Sequence, residues 1–325
     1  MDYYADTVYV HAKIHALKSR LLSERDYLGI IQSRKILQFF PHLPPPPEPV
    51  DYLKVREILF RDQIKSIIRL TASSRFYNGL FRAFLSIYEI INIKRVLLGL
   101  YGRKPLVEQW YDISPLEIMD RSLLRGEVTA VDFSELLSGT VYGGIMDPDK
   151  EQDYETLESA LDVRLFRLFI DASGGFSREW ENQFLEVMIK KMTMLRIVWE
   201  QRFRGFYGWD DARIREYLRM FNLPRKRFPG ADAMAREAEE DLWKELQRGS
   251  DSREIGDISD LELKLERMFC LFMHRIFHIS FHSLYPVISF LWLLYYQIRN
   301  LFIIAEGFRY NLPSECIQGE IVCGV

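Results

Sequence analysis

Cysteine is scarce: three residues (Cys270, Cys316 and Cys323) in a chain of 325. That excludes a disulfide-stapled secreted scaffold and points to free thiols in a reducing compartment. The opening, MDYYADTVYVHAK, lacks the basic start and apolar run of a secretory leader, so an intracellular protein is expected. An excess of one charge is missing too. Lys and Arg number 43 against 46 Asp and Glu, a formal net charge of -3, which excludes a nucleic-acid binder held by bulk charge. No Gly-x4-Gly-Lys-Ser/Thr phosphate loop occurs, and no His-Glu-x-x-His, Cys-x-x-Cys or Gly-x-Ser-x-Gly. These absences argue against a Walker-type ATPase, a zinc hydrolase, a dithiol oxidoreductase and a serine hydrolase. No catalytic residue, cofactor or metal site is expected.

Charge is also absent locally, from Ile276 to Ile298. About twenty apolar residues can cross a bilayer. Pro286 near the middle breaks or kinks a helix, and His278, His282, Ser280, Ser283, Ser289 and Gln297 are polar. The run therefore reads as two buried helices meeting at Ser283–Pro286, with an integral membrane helix as the alternative. Two other patterns imitate metal sites. Asp147-Pro-Asp149-Lys-Glu151-Gln-Asp153, with Glu158 at position twelve, resembles a calcium loop but has Gln152 where glycine is required. It reads as a solvated connector. His274, His278 and His282 recur at four-residue steps, a spacing that drifts around an ideal helix. They read as a polar stripe.

What is present in abundance is apolar residues at three- and four-residue steps, as in Glu186–Phe203 and Leu261–Ser280, the helical period. Breakers fall between the runs at Pro44–Pro49, Gly143–Pro148, Gly174-Gly175, Pro229-Gly230 and Gly249–Gly256. The fold class is all-α. The pattern also repeats. Tyr88-Glu-Ile-Ile-Asn92 resembles Tyr296-Gln-Ile-Arg-Asn300, and Lys190-Lys-Met-Thr-Met194 lies between them, so Asn92, Met194 and Asn300 are spaced by 102 and 106 residues. After each anchor comes the same ending: Gly99-Leu-Tyr-Gly102, Gly205-Phe-Tyr-Gly208 and Gly307-Phe-Arg-Tyr-Asn311. Gly and Asn tolerate the left-handed conformation that stops a helix. Glu57, Glu158 and Glu266 keep step, lying 35, 36 and 34 residues before the anchors. Three helical units are predicted, at 1–108, 109–213 and 214–325, each carrying one long helix. Leu195, beside Met194, is expected in the core.

Tyr296-Gln-Ile-Arg-Asn300-Leu, continuing to Gly307, Leu312-Pro313-Ser-Glu315 and Ile321-Val322, resembles the C-terminal signature of the C-type subunits of prokaryotic V-type ATPases. The opening, with Tyr9, Ala12-Lys-Ile and Leu21-Leu22, is similar to that family, as are Phe133–Gly144 and Phe228-Pro-Gly230. The resemblance implies three helical domains related by pseudo-threefold symmetry and arranged as a funnel. It implies a non-catalytic central-stalk component, peripheral on the cytoplasmic face of the membrane. One end caps the membrane rotor ring of proteolipids. The other is a socket for the central shaft subunits of D and F type, so that torque links ion transport to ATP hydrolysis or synthesis. A helical scaffold of another assembly is the alternative. Departures from the family pattern are Met194 for Asn, Tyr295 and Gln297 for acidic residues, and Phe302 for Arg.

Charge is segregated in the third quarter of the chain. Val187–Phe228 holds eleven Lys and Arg against four Asp and Glu; Gly230–Glu262 holds four against eleven. Three readings fit: a solvated face, mutual neutralisation of the two segments, or cations contacting partner subunits. On the third, the candidate contacts are Arg213, Arg215, Arg225, Lys226 and Arg227. No aromatic-interleaved nucleic-acid module is recognisable, and no nucleic-acid partner is expected.

Overall fold

A computed structural model describes residues 3–45, 49–102, 110–118, 129–147, 152–223, 227–248 and 257–322. Among the described residues every regular element is a helix and no strand occurs. The all-α expectation is met. The chain divides into two compact units, one made of residues 1–59 and 176–325, the other of 60–175.

The larger unit holds α1 (Tyr3–Lys18), α2 (Glu24–Ser33), α7 (Arg178–Gly205), α8 (Asp211–Leu218), α9 (Ala231–Arg248), α10 (Ile258–Phe277), α11 (Tyr285–Arg309) and α12 (Ser314–Gly319). The smaller holds α4 (Asn78–Leu100), α5 (Ala130–Ser138) and α6 (Tyr154–Ala172). Helix α3 (Tyr52–Ser73) begins in the first and continues into the second.

Local chemistry starts these helices. Ser23 and Thr129 close reciprocal capping boxes with Asp26 and Asp132 at α2 and α5. The side chains of Asp153, Ser177 and Asp210 accept N–H groups at the starts of α6, α7 and α8. Each such cap contributes roughly 1 kcal/mol. Pro286 sits in the first turn of α11, where its missing N–H has no partner to lose. The charge-free run therefore splits: α10 ends at Phe277, residues 278–284 turn, and α11 follows. Helix α11 is long and apolar enough to cross a membrane, yet 83% of its most apolar window is buried inside the protein.

The stops are uniform. The residues that follow α4, α7 and α11 at positive φ are Gly102 (70°), Gly208 (63°) and Asn311 (54°), the left-handed endings that the three similar sequences anticipate. At Gly307 close approach is needed as well, because a Cβ there would stand 2.6 Å from Ile317 of α12.

Two of the three long helices carry a buried asparagine that performs the same task. Asn92 of α4 accepts the Tyr111 N–H at 2.9 Å and donates to the Tyr111 carbonyl at 2.9 Å. Asn300 of α11 accepts the Val322 N–H at 3.0 Å and donates to the Val322 carbonyl at 2.6 Å. Tyr111 and Val322 lie outside any helix, so their backbone groups have no ladder to join. One carboxamide supplies both the missing donor and the missing acceptor. Met194 of α7 offers neither. The segment at a similar distance beyond it is α8, whose backbone is bonded internally, so no carboxamide is required there. Met194 is buried, while Leu195 is only half-buried. The core-facing neighbours are Ile197 and Val198, one turn further along the same stripe, which corrects the expectation for Leu195.

The clasp is testable. Asn300→Leu leaves the Val322 N–H and carbonyl buried without partners and should cost about 2–5 kcal/mol. Met194→Leu keeps volume and polarity and should cost less than about 1.5 kcal/mol. Urea denaturation of both variants measures the contrast; equal losses would exclude a clasp at Asn300 alone.

Candidate functional site

Ionic braces tie each long helix to a neighbour. In the smaller unit Lys94 of α4 bonds Asp162 at 2.7 Å and Glu158 at 3.4 Å, both on α6. Burial pulls its pKa down, and the two carboxylates more than reverse that. In the larger unit Lys191 of α7 meets both oxygens of Glu266 on α10 at 2.6 Å, and the Tyr296 hydroxyl of α11 donates to the same carboxylate. Burial alone pushes Glu266 up; the Lys191 ammonium and Tyr296 hold it below the usual carboxylate range. Arg56 of α3 pairs with Glu306 of α11 and lies over the Phe302 ring. Glu158 and Glu266, two of the evenly spaced glutamates, are thus brace residues. Glu57 is exposed, and its neighbour Arg56 makes a brace with the signs exchanged.

Glu89 of α4, three residues before Asn92, is a further buried carboxylate. It accepts the Tyr142 hydroxyl at 2.8 Å and the Ile118 N–H at 2.6 Å. Gln297, three residues before Asn300, accepts the Leu22 N–H at 2.6 Å. These polar groups of the long helices hold loop backbone in place.

The segregated charges partly neutralise one another. Arg196 and Arg202 of α7 bond Glu239 of α9 and Glu262 of α10. Beyond them lies the surface named from sequence. Arg213 and Arg215 are exposed on α8. The Arg213 guanidinium stands 3.7 Å from the Trp209 ring centroid. Trp209 stacks on Phe203 at 4.2 Å, and Tyr217 packs edge-on to both. Arg227 is exposed, bonds Glu181 at 3.1 Å and lies over Phe228. Arg225 and Lys226 lie outside the described residues, as do residues 148–151 of the loop that imitates a calcium site. Phe206, 68% exposed, and Tyr207 stand beside the stack. Sequence reasoning missed this aromatic platform. Its signal was Gly208 followed by the capping residue Asp210, which turns the chain back after α7.

Five histidines converge in the larger unit, from α1 and from the end of α10 and the turn after it. His11 Nδ1 donates to the Phe281 carbonyl at 2.7 Å. His15 stacks on Phe281 at 4.7 Å and packs on Phe277 at 4.9 Å. His278 and His282 pack edge-on to Phe277 and Phe281. Among the described residues no three His, Cys, Asp or Glu are grouped to hold a metal. Burial is the main reason the pKa values of His11 and His15 fall below the ordinary value. Burial, then Lys18, then His278 bring His274 down to about 4. A histidine whose pKa falls on folding binds fewer protons folded than unfolded. Its contribution is complete above pH 6.5 and is lost as pH falls towards 4. Melting temperatures across that window should drop less steeply for His274→Gln than for the parent chain. Parallel curves would exclude the effect.

Comparison with known proteins places this framework. The sequence profile of the ATP synthase (C/AC39) subunit matches residues 10–320. The C-type subunit of the A-type ATP synthase of Methanosarcina barkeri is 23% identical over 276 residues, spanning 79% of this chain and 72% of that protein. A match over nearly the full chain, on a wholly helical framework, assigns the protein: it belongs to the ATP synthase (C/AC39) subunit family.

Proposed function

We propose that the chain is the non-catalytic coupling component in the central stalk of a rotary V- or A-type ATPase, peripheral on the cytoplasmic face of the membrane. On this reading one end caps the proteolipid rotor ring and the other is a socket for shaft subunits of D and F type. The membership over residues 10–320 carries the proposal. The three similar sequence segments support a further part of it: three domains, at 1–108, 109–213 and 214–325, related by pseudo-threefold rotation into a funnel, with Asn92, Met194 and Asn300 in corresponding places.

The mechanical demand on such a part is stiffness. Torque must pass through the protein without shearing its helices. The braces Lys94–Asp162, Lys191–Glu266 and Arg56–Glu306 cross between helices, and interiors packed this closely transmit strain. Long helices supply the lever, and the braces oppose sliding of one helix along another. On this reading Arg213, Arg215, Arg225, Lys226 and Arg227 contact a neighbouring protein of the assembly, and steering by exposed charge speeds its docking.

Two measurements test the reading. In reconstituted membranes, omitting this protein should leave ATP hydrolysis by the soluble motor running while ion transport stops; transport at the normal rate without it refutes the coupling role. Arg215 is exposed, and Arg215→Glu should change stability by less than about 0.5 kcal/mol. It should weaken assembly and flatten its dependence on salt, because salt screens exposed charge pairs. Unchanged assembly across a salt series removes Arg215 from the interface.

A further inference from the structure

The brace cations Lys94, Lys191 and Arg56 each meet a carboxylate, and a half-buried cation elsewhere is built differently. Lys18, the last residue of α1, is half-buried. Among the described residues no carboxylate lies within ion-pair distance of it. Its described neighbours are the Phe277 ring, 5.8 Å from the ammonium, and His274 and Cys270 of α10. The contrast with Lys94 is direct. Carboxylates push Lys94 up, whereas burial holds Lys18 below the ordinary lysine range. After burial, proximity to Lys18 lowers the affinity of His274 for a proton. The C-terminal carbonyls of α1 offer partial compensation but no counter-ion.

Both side chains stand on the wall of one cavity of about 500 Å³, in the larger unit. That size falls within the range of small-molecule sites. Its lining is mixed. Lys18 presents a cation and His274 a neutral imidazole that can donate one N–H, and Leu21, Leu22 and Leu293 contribute apolar wall. Arg25 adds a second cation; Glu24, the one carboxylate on the wall, is exposed and pairs with neither Lys18 nor His274. Other polar groups of the wall are engaged already: Asn300 clasps Val322, and the Tyr296 hydroxyl serves Glu266. What is left on the wall is positive charge that suits an anion and apolar surface that suits hydrocarbon.

We propose that this cavity binds a small amphiphilic anion, a carboxylate or phosphate monoester on an apolar chain. Lys18 and His274 hold the head group, and Leu21, Leu22 and Leu293 line the chain. The anion is the counter-charge that the fold does not provide for Lys18. This inference stands independently of the coupling role.

Calorimetric titration of the full chain with octanoate and octyl phosphate tests it, with octanol and inorganic phosphate as controls. Saturable one-to-one binding of octanoate or octyl phosphate is expected. Lys18→Met should weaken it about tenfold or more, the loss of a charge-assisted hydrogen bond, and His274→Gln should weaken it less. Lys18→Met removes an uncompensated cation, so its melting temperature should hold or rise. Leu21→Trp, at a half-buried loop position, should fill the cavity and abolish binding without touching a cation. The proposal is overturned if both anions bind no tighter than octanol, or if Lys18→Met binds them as the parent does. It is equally overturned if inorganic phosphate alone competes as well as octyl phosphate.

Discussion

The contact on which the larger unit most depends is the ionic junction of Lys191, Glu266 and Tyr296, because it fastens three helices at one point. Neither charge could be buried there alone; removing one partner of such a pair costs about 3–5 kcal/mol, while the intact pair adds little net stability. Its contribution is geometric. An apolar interface between α7, α10 and α11 could slide by a fraction of a turn and repack. An ammonium with both oxygens of one carboxylate at 2.6 Å fixes the axial setting of α7 against α10, and the tyrosine fixes α11 against both. Lys94 with its two carboxylates does the same for α4 and α6. The apolar core then fills in around settings already chosen: Phe269, Trp292 and Trp199 in one unit, Phe133, Tyr142 and Leu157 in the other.

Much of this was legible in the sequence, and the parts that were not share a physical reason. Helix period, caps and stops are local, so α4, α7 and α11, with Gly102, Gly208 and Asn311 behind them, could be read directly. Pro286 divided the charge-free run for the same reason. Asn92 and Asn300 stood out as anchors, but their task did not, since Tyr111 and Val322 are 19 and 22 residues away and nothing local marks backbone that lacks a partner. The evenly spaced glutamates showed that a position mattered; the lysine that each of Glu158 and Glu266 meets, 64 and 75 residues distant, did not follow from spacing. Leu195 was misjudged by a single helical step.

The candidate surface was legible in charge only. Counting Arg and Lys located the basic segment, and the acidic segment after it hinted at neutralisation, which Arg196–Glu239 and Arg202–Glu262 carry out. Counting could not separate those cations from Arg213 and Arg215, because the difference is exposure. Nor did it reveal that Arg213 rests on a stack of aromatic rings. A guanidinium 3.7 Å from the centre of an indole ring has less freedom to lose on docking than an unsupported one.

The split make-up of the larger unit constrains how the protein is born. Ile30, Ile31, Val55 and Leu59 share one apolar cluster with Leu301, Ile304, Phe308 and Ile321, so the earliest-made helices must wait for the last. At ordinary translation rates that interval is roughly ten seconds to a minute. Residues 60–175, by contrast, form a continuous unit that can close while synthesis goes on. Throughout the wait α2 and the start of α3 display β-branched and aromatic side chains with no lasting place to put them. The nascent chain is therefore a natural client for ribosome-associated chaperones, and a ribosome stall before residue 301 would release a polypeptide with one finished unit and one adhesive end.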